Sequence, residues 1–229
     1  MLYTWVQFPA RPLKQIKSES RKEIALAKLT FTSPVDVYTF EIQGKEPGVM
    51  FNNPSMMGAN SGEVTQTRST KKYNDEDEAE MRTYRNDKGN LVVPSAQIRA
   101  SILEASKAFK LGRTNLKTLL NHLMIEPVDS LELKSMSNRP IKSYNIDKRR
   151  VVVSRAGVMR ARPVVPQWKL TFSVEVDREL MENSLQGTSV LDVLTKVVSD
   201  AGKKQGIGDY RPQKGGSFGR FDVTNAKES

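Results

Sequence analysis

Two segments of the sequence carry the residue types that could hold a nucleic-acid backbone. In the first, residues 140–169, the acid Asp147 stands alone among eight cations, namely Lys142, Lys148, Arg149, Arg150, Arg155, Arg160, Arg162 and Lys169. Guanidinium and ammonium groups both bind phosphate, and this charge asymmetry is stronger than an ordinary solvated surface requires. Because glycine and prolines are interleaved with the arginines, the segment predicts a projecting hairpin that contacts phosphates.

The second segment, residues 206–220, is rich in glycine and lies between a predicted helix and a predicted strand. Its glycines would let backbone N–H groups approach a phosphate, its cations would neutralise the charge, and its aromatic rings would stack on bases. The candidates are Gly206, Gly208, Gly215, Gly216, Arg211, Lys214, Arg220, Tyr210 and Phe218. The segment predicts a nucleic-acid contact, and a flexible connection is the alternative.

Composition limits the function classes. The 229 residues include 36 Lys and Arg against 26 Asp and Glu, and this net charge of +10 is typical of proteins that bind phosphates or anionic membranes. The chain lacks cysteine and has a single histidine, His122, so we expect no disulfide, no metal, no cofactor and no imidazole-based triad. No run of about 18 apolar residues and no signal-peptide pattern occurs, so we expect a cytoplasmic protein without membrane contact.

Aspartates are the candidate catalytic groups. Asp75 and Asp77 belong to an acidic cluster at residues 75–80, whose expected role is a solvated helix start, because acids are favoured there. Asp36 begins a predicted strand, and Asp129 lies in a predicted turn. Since none of them lies in a recognisable active-site motif, we predict binding without catalysis. A metal-dependent ribonuclease that acts on target RNA stays an alternative.

Hydrophobic patterns predict the elements that position these segments. Strand patterns occur at residues 35–42, 91–93, 122–126, 149–153, 168–176 and 218–223. Helical stripes run from the expected N-cap Ser95 to Gly112 and over residues 190–201, while residues 24–31 fit either a helix or a strand. Composition makes residues 44–89 a partly flexible insertion, and residues 128–167 an extended arm and basic hairpin.

Without the insertion and the arm, the order of elements is strand, helix, strand, strand, helix, strand. This order is the split βαβ or ferredoxin-like arrangement that RNA-recognition folds share. The sequence therefore predicts one α+β domain over residues 1–229, with an RRM-like βαββαβ core. Such a core has four antiparallel strands, with two helices on one face of the sheet.

Four parts of the sequence resemble the RAMP superfamily, and within it the backbone subunits of CRISPR effector complexes. Residues 35–42 resemble the first strand of the family, and residues 92–100 (VVPSAQIRA) resemble the proline-containing entry to its first helix. Arg155 with residues 162–168 resembles its basic mid-chain hairpin, and residues 206–221 resemble its late glycine-rich loop. Together these parts span most of the chain in the order of the family.

The resemblance implies an RRM-like palm, a hairpin that acts as a thumb and kinks a guide RNA, and copies that stack side by side along that guide. It also implies contacts to the guide backbone from Arg99, Arg155, Arg211, Lys214 and Arg220. The implied partners are guide RNA, a complementary target strand, further copies in a helical stack and other effector-complex subunits. A stand-alone single-stranded DNA- or RNA-binding protein of a virus or mobile element stays the alternative.

Overall fold

The structure, a computed structural model, describes residues 34–53, 74–111, 114–153, 156–185 and 187–229. Its strands are β1 (Val35–Gly44), β2 (Val49–Met50), β3 (Val92–Pro94), β4 (Lys110–Leu111), β5 (Thr114–Asn115), β6 (Met124–Glu126), β7 (Ser130–Glu132), β8 (Asn145–Val153), β9 (Ala156–Val165), β10 (Lys169–Asp177) and β11 (Phe221–Glu228). Its helices are α1 (Asp75–Glu80), α2 (Ser95–Ser106), α3 (Leu116–Leu119), α4 (Arg178–Leu185) and α5 (Val190–Asp200). Shorter turns are the π-helical Ala201–Gln205 and the 3₁₀ segments Leu120–His122 and Pro212–Lys214.

Four antiparallel strands form the central sheet in the order β11-β1-β10-β6. Side chains alternate between the two faces of a strand, so Phe40 of β1 and Phe172 of β10, which are register partners, lie on the same buried face. Their rings stack with centroids 5.7 Å apart. The opposite face, called the open face here, carries Thr39, Glu41 and Glu175, none of which is fully buried.

The helices α2 and α5 cover the buried face of the sheet. Ile98 and Ile102 of α2 join Leu194 and Val197 of α5 and the sheet residues in one hydrophobic cluster. Burial of each such side chain contributes about 1.5–3 kcal/mol. This packing, together with antiparallel pairing throughout, confirms the α+β class, and the predicted strand at residues 35–42 and helix at residues 190–201 are both observed.

The start of α2 differs from the prediction. Ser95 is the first helical residue rather than the N-cap, a position that Pro94 occupies without a side-chain hydrogen bond. The Ser95 hydroxyl instead donates to the carbonyl of Pro127 at 2.5 Å. Competition from a distant backbone acceptor explains the difference, and no local pattern could have indicated it.

A second sheet, in the order β2-β9-β8, contains the hairpin of the basic segment. The strand pattern at residues 149–153 lies within β8, and most of residues 154–167 form β9, whose residues 156–164 pair with β8. Proline and glycine fit in β9 because, among the described residues, β2 pairs only with Val164 and Val165 and no other strand pairs with the second edge of β9. The final strand also begins later and extends further than predicted, at Phe221–Glu228.

Several predictions fall on residues that the structure does not describe. Residues 24–31, the middle part of the proposed insertion (54–73), Gly112 and Arg155 lie outside the described ranges. Residues Pro34–Ser229 form one compact unit, and a single domain over the full chain stays a prediction.

Within the described ranges, no helix has the length and apolar character needed to cross a membrane.

Candidate nucleic-acid interface

The hairpin of β8 and β9 presents its cations in register. Arg149 lies opposite Arg160, and Asp147 lies opposite Arg162, so these four side chains share one face. Beyond the end that β2 anchors, the hairpin becomes exposed, and Val152 is 74% accessible. The described residues between 148 and 159 that are exposed are Lys148, Arg149, Arg150, Val152, Gly157 and Met159.

The acidic helix α1 packs beside the hairpin. Glu78, 13% exposed, accepts hydrogen bonds from the Ala161 N–H at 2.9 Å and from Arg160 Nη1 at 3.1 Å. Asp75 pairs with Lys148. Because directly opposed like charges destabilise a strand pair, the pairing of Arg160 with Glu78 reduces its repulsion with Arg149.

The sequence correctly predicted that acids begin a helix here, and Asn74 caps that helix by accepting from the Glu76 N–H at 3.1 Å. It was wrong about a fully solvated role, because Glu78 and Asp75 contact the hairpin. The basic segment is therefore compensated by acids distant in sequence as well as by Asp147.

The glycine-rich loop is fixed against β2 and the hairpin. Asp209 donates its N–H to the Met50 carbonyl at 2.8 Å, and its carboxylate lies 3.0 Å from Arg162 Nη1. The Gly219 N–H donates to the carbonyl of Gly48 at 2.7 Å. The ion pair between Asp209 and Arg162 joins the two segments that the sequence had identified separately.

The loop glycines have a different role from the predicted one. The N–H groups of Gly206, Gly208, Gly215 and Gly216 all donate to acceptors within the protein. A Cβ atom at Gly216 would lie 1.7 Å from the Tyr210 carbonyl oxygen, and one at Gly208 would lie 2.4 Å from the Met50 carbonyl oxygen. Glycine is required here because the backbone packs closely on itself, and these N–H groups are already bonded in this conformation.

An arginine and two aromatic rings meet where the loop contacts the hairpin. The Arg149 guanidinium lies 5.0 Å from the Phe218 ring centroid and 5.5 Å from that of Tyr210. Phe218 is only 3% exposed and packs with Met50, so the prediction that it stacks on bases is not supported by its burial. Tyr210 is 42% exposed and retains an accessible ring.

Arg149 is held in place by Asp147. Its Nε donates to Asp147 Oδ1 at 2.5 Å and its Nη2 donates to Asp147 Oδ2 at 3.0 Å. This hydrogen-bonded pair raises the pKa of Arg149, so the group is a permanent cation.

Arg99, a predicted contact to the guide backbone, forms hydrogen bonds within the protein. Arg99 donates to the carbonyls of Leu123 and Asn121, at 2.8 and 2.6 Å. Its neighbour Gln97 contacts Gly208 of the loop, and two residues correspond to about 200° around a helix, so Arg99 is directed away from the loop.

Arg211 and Arg220 also bond to the backbone. Arg211 donates to the Gly208 carbonyl at 3.0 Å and to Gln213 Oε1 at 2.8 Å, and Arg220 donates to the Glu46 carbonyl at 3.3 Å. By contrast, Lys142, Arg150 and Lys214 are exposed and make no ion pair with any described residue. These three cations are available to an anionic partner.

A polar cluster closes the base of the hairpin. Arg85 donates to both carboxylate oxygens of Glu80, at 2.6 and 3.0 Å, and the Tyr144 hydroxyl donates to Glu80 at 2.8 Å. The bonds from Arg85, with a further contribution from Tyr144, hold the pKa of Glu80 below its ordinary value. Burial is the main cause that raises the pKa of Tyr144 to about 12, and the hydrogen bond to Glu80 adds to it.

The candidate catalytic aspartates do not converge. Asp36 accepts from Arg178 Nε at 2.7 Å, and Asp75 of α1 pairs with Lys148. Asp77 is an exposed residue of α1, and Asp129 lies in an exposed loop before β7. Over the residues that the structure describes, no three His, Cys, Asp or Glu side chains are grouped as metal ligands would be.

Sequence reasoning missed two acids that organise the interface. Asp209 and Glu78 each hold an arginine of the hairpin, Arg162 and Arg160 respectively. A lone acid within a basic, glycine-rich loop was the available signal for Asp209. Glu78 had no comparable signal, because four other acids surround it in sequence.

The fold and the interface together define a basic α+β protein with an exposed cationic hairpin braced by a glycine-rich loop. No protein-family model and no curated protein matches the sequence. A solved chain of the type III-B Cmr-beta complex bound to cognate target RNA is similar at a TM-score of 0.44 and 10% identity. The similarity covers 94% of this chain and 66% of that one, and at this level it carries no argument about function.

Proposed function

We propose that this protein binds single-stranded RNA as the backbone subunit of a CRISPR-type effector ribonucleoprotein, with copies stacked along a guide. The proposal rests on the four sequence parts that resemble the RAMP superfamily. It is supported by the strand order β11-β1-β10-β6 with α2 and α5 on one face, which agrees with a ferredoxin-like, RRM-like core.

The observation that carries the proposal is that three exposed cations of the hairpin and loop are unpaired among the described residues. Arg150 on β8, Lys142 just before β8 and Lys214 in the loop are exposed, and no described acid pairs with them. Since each phosphate contact releases counterions, a few such cations provide sequence-independent binding to a backbone. The glycine-rich loop thus contributes Lys214 and the Tyr210 ring rather than glycine N–H groups.

The open face of the central sheet is a poor alternative surface for RNA. In RRM domains, aromatic side chains on the exposed face of the sheet stack on bases. The described residues of this open face include no aromatic side chain, and its acids Glu41, Glu126, Glu175 and Asp222 outnumber its cations Lys169 and Lys227. The hairpin and loop are therefore the proposed RNA surface.

Fluorescence anisotropy with a labelled single-stranded RNA tests the proposal. The charge-reversed double variant Arg150→Glu/Lys214→Glu should bind far more weakly, while Lys227→Glu, on the open face, should bind as the unmodified protein does. The logarithm of affinity should fall linearly with the logarithm of salt, by about 0.7 for each phosphate contact. Failure of the unmodified protein to bind RNA at low salt would overturn the proposal.

Two further measurements separate the competing functions. Competition between RNA and DNA strands of equal length should favour RNA, since contacts to the 2′-hydroxyl distinguish the two. Equal competition would favour a stand-alone single-strand binder. We also propose binding without cleavage, so labelled RNA incubated with the protein and divalent metal should stay intact. If copies stack along the RNA, the mass of bound protein should increase stepwise with RNA length.

A further inference from the structure

The geometry at the loop and hairpin points to a more specific site. We infer that Arg149 and Tyr210 form a stacking platform for one unpaired base of a single-stranded nucleic acid. This inference rests on the proposed function and specifies the chemistry that this surface recognises. A base within a duplex has both faces covered by its neighbours, so the platform is specific for single strands or unpaired nucleotides.

Arg149 is already oriented as a flat, charged surface. Both of its bonds to Asp147 lie in the guanidinium plane, which fixes the orientation of that plane before any ligand binds. One side of the group contacts the Phe218 and Tyr210 rings, and 45% of the side chain remains exposed. Guanidinium planes of this kind stack on unpaired bases in RNA recognition.

Tyr210 is also held before binding, in a strained backbone conformation. Its φ angle is +48°, a region that residues other than glycine rarely occupy. Its N–H donates to Asp209 Oδ1 at 2.9 Å, and its carbonyl accepts from the Phe218 N–H at 3.1 Å. These bonds maintain the strained conformation, which directs an aromatic ring to the surface beside Arg149.

The surroundings of the platform fit a nucleotide rather than an apolar ligand. Phe218 forms a buried floor beneath Arg149, so a ligand meets only the exposed parts of Arg149 and Tyr210. Lys214 lies four residues after Tyr210 in the same loop, is exposed, and makes no ion pair with a residue that the structure describes. We assign the phosphate next to the stacked base to Lys214.

A single-stranded RNA that carries one 2-aminopurine tests this site, because the emission of this base analogue changes when it stacks. Tyr210→Asn removes the ring with a residue that tolerates positive φ, and Arg149→Lys keeps the charge but removes the plane. Each should weaken binding by roughly five- to 150-fold and reduce the change in emission. Tyr210→Phe, which keeps the ring, should bind like the unmodified protein.

The controls separate this inference from the proposed function. Lys214→Ala should lower the salt dependence while leaving the emission change at saturation intact, and Lys227→Ala should alter neither. If the unmodified protein binds the RNA but Arg149→Lys and Tyr210→Asn keep its affinity and emission change, the platform is wrong and the proposed function stands. If the unmodified protein binds no RNA, both fail. A duplex that competes as well as a single strand would also overturn the platform.

Discussion

Arg162 Nη1 and Asp209 Oδ2 lie 3.0 Å apart and connect the hairpin to the glycine-rich loop. The Arg162 side chain is 16% exposed and that of Asp209 is 29% exposed, so solvent screens this pair less than a surface pair. The same carboxylate accepts the Tyr210 N–H at 2.9 Å. One acid thus fixes both the base of the hairpin and the strained residue of the loop.

Asp209→Asn should lower the free energy of unfolding by about 1–3 kcal/mol, because it leaves the Arg162 guanidinium half-buried without its charge partner. Urea denaturation measures the change. Asp222→Asn is the matched control, since Asp222 pairs with Lys45 at 2.7 Å in an exposed setting, with side chains 44% and 42% accessible. That substitution should cost under about 1 kcal/mol. Equal effects would contradict the structural role of Asp209.

Gly219→Ala should destabilise the protein strongly. Gly219 has a φ of +69°, and an added Cβ would lie 1.7 Å from the Ile207 carbonyl oxygen. Gly215 is the matched control, because its φ of +76° is similar but no atom lies within 4 Å of an added Cβ. Gly215→Ala should cost only the left-handed strain, about 1–2 kcal/mol. Similar melting temperatures for the two variants would show that close packing does not require Gly219.

Glu80→Gln should make the free energy of unfolding less dependent on pH in the acidic range. The bonds from Arg85 and Tyr144 lower the pKa of Glu80, so its ionised form stabilises the fold above the unfolded-state pKa of about 4.3. This contribution is lost as pH falls through the lower folded-state pKa. The stability difference between the unmodified protein and the variant should therefore be full near neutral pH and shrink in acid.

Urea midpoints at a series of pH values measure this difference. Glu76→Gln is the control, because Glu76 lies on the same helix but receives no side-chain bond from Arg85 or Tyr144. A pH-independent difference for Glu80→Gln would rule out the linkage. The same variant should also bring the pKa of Tyr144 down from about 12, as followed by its absorbance in alkali.

Arg150→Ala and Arg160→Ala should affect different properties of the protein, although both residues lie in the hairpin. Arg150 has no described ion partner, so its removal should weaken RNA binding and lower the salt slope by about 0.7 without changing the melting temperature. Arg160 bonds to Glu78 at 3.1 Å, so its removal should lower the unfolding free energy by about 1 kcal/mol or more. Anisotropy and thermal unfolding on both variants test this contrast.

The sequence by itself determined the α+β class and the main elements. Alternation over residues 35–42 and the apolar stripe over residues 190–201 are local signals, because each reflects the repeat of a strand or a helix about one buried face. The N-cap position of Ser95 was wrong and α4 was missed. The Ser95 hydroxyl bonds to the carbonyl of Pro127, which is distant in sequence. The helix α4 is short and buries only Met181 and Leu185, so its apolar pattern is weak.

Charge and residue type also identified the basic hairpin and the glycine-rich loop from sequence alone. Only the tertiary structure decided which residues of these segments remain available to a partner. Arg160 and Arg162 pair with Glu78 and Asp209, respectively. Phe218 is buried, and the loop glycines form hydrogen bonds within the protein. Arg149 and Tyr210, by contrast, lie in contact at the surface. Pairings between residues far apart in the chain depend on how strands and loops pack, and a linear pattern of charges does not contain that information.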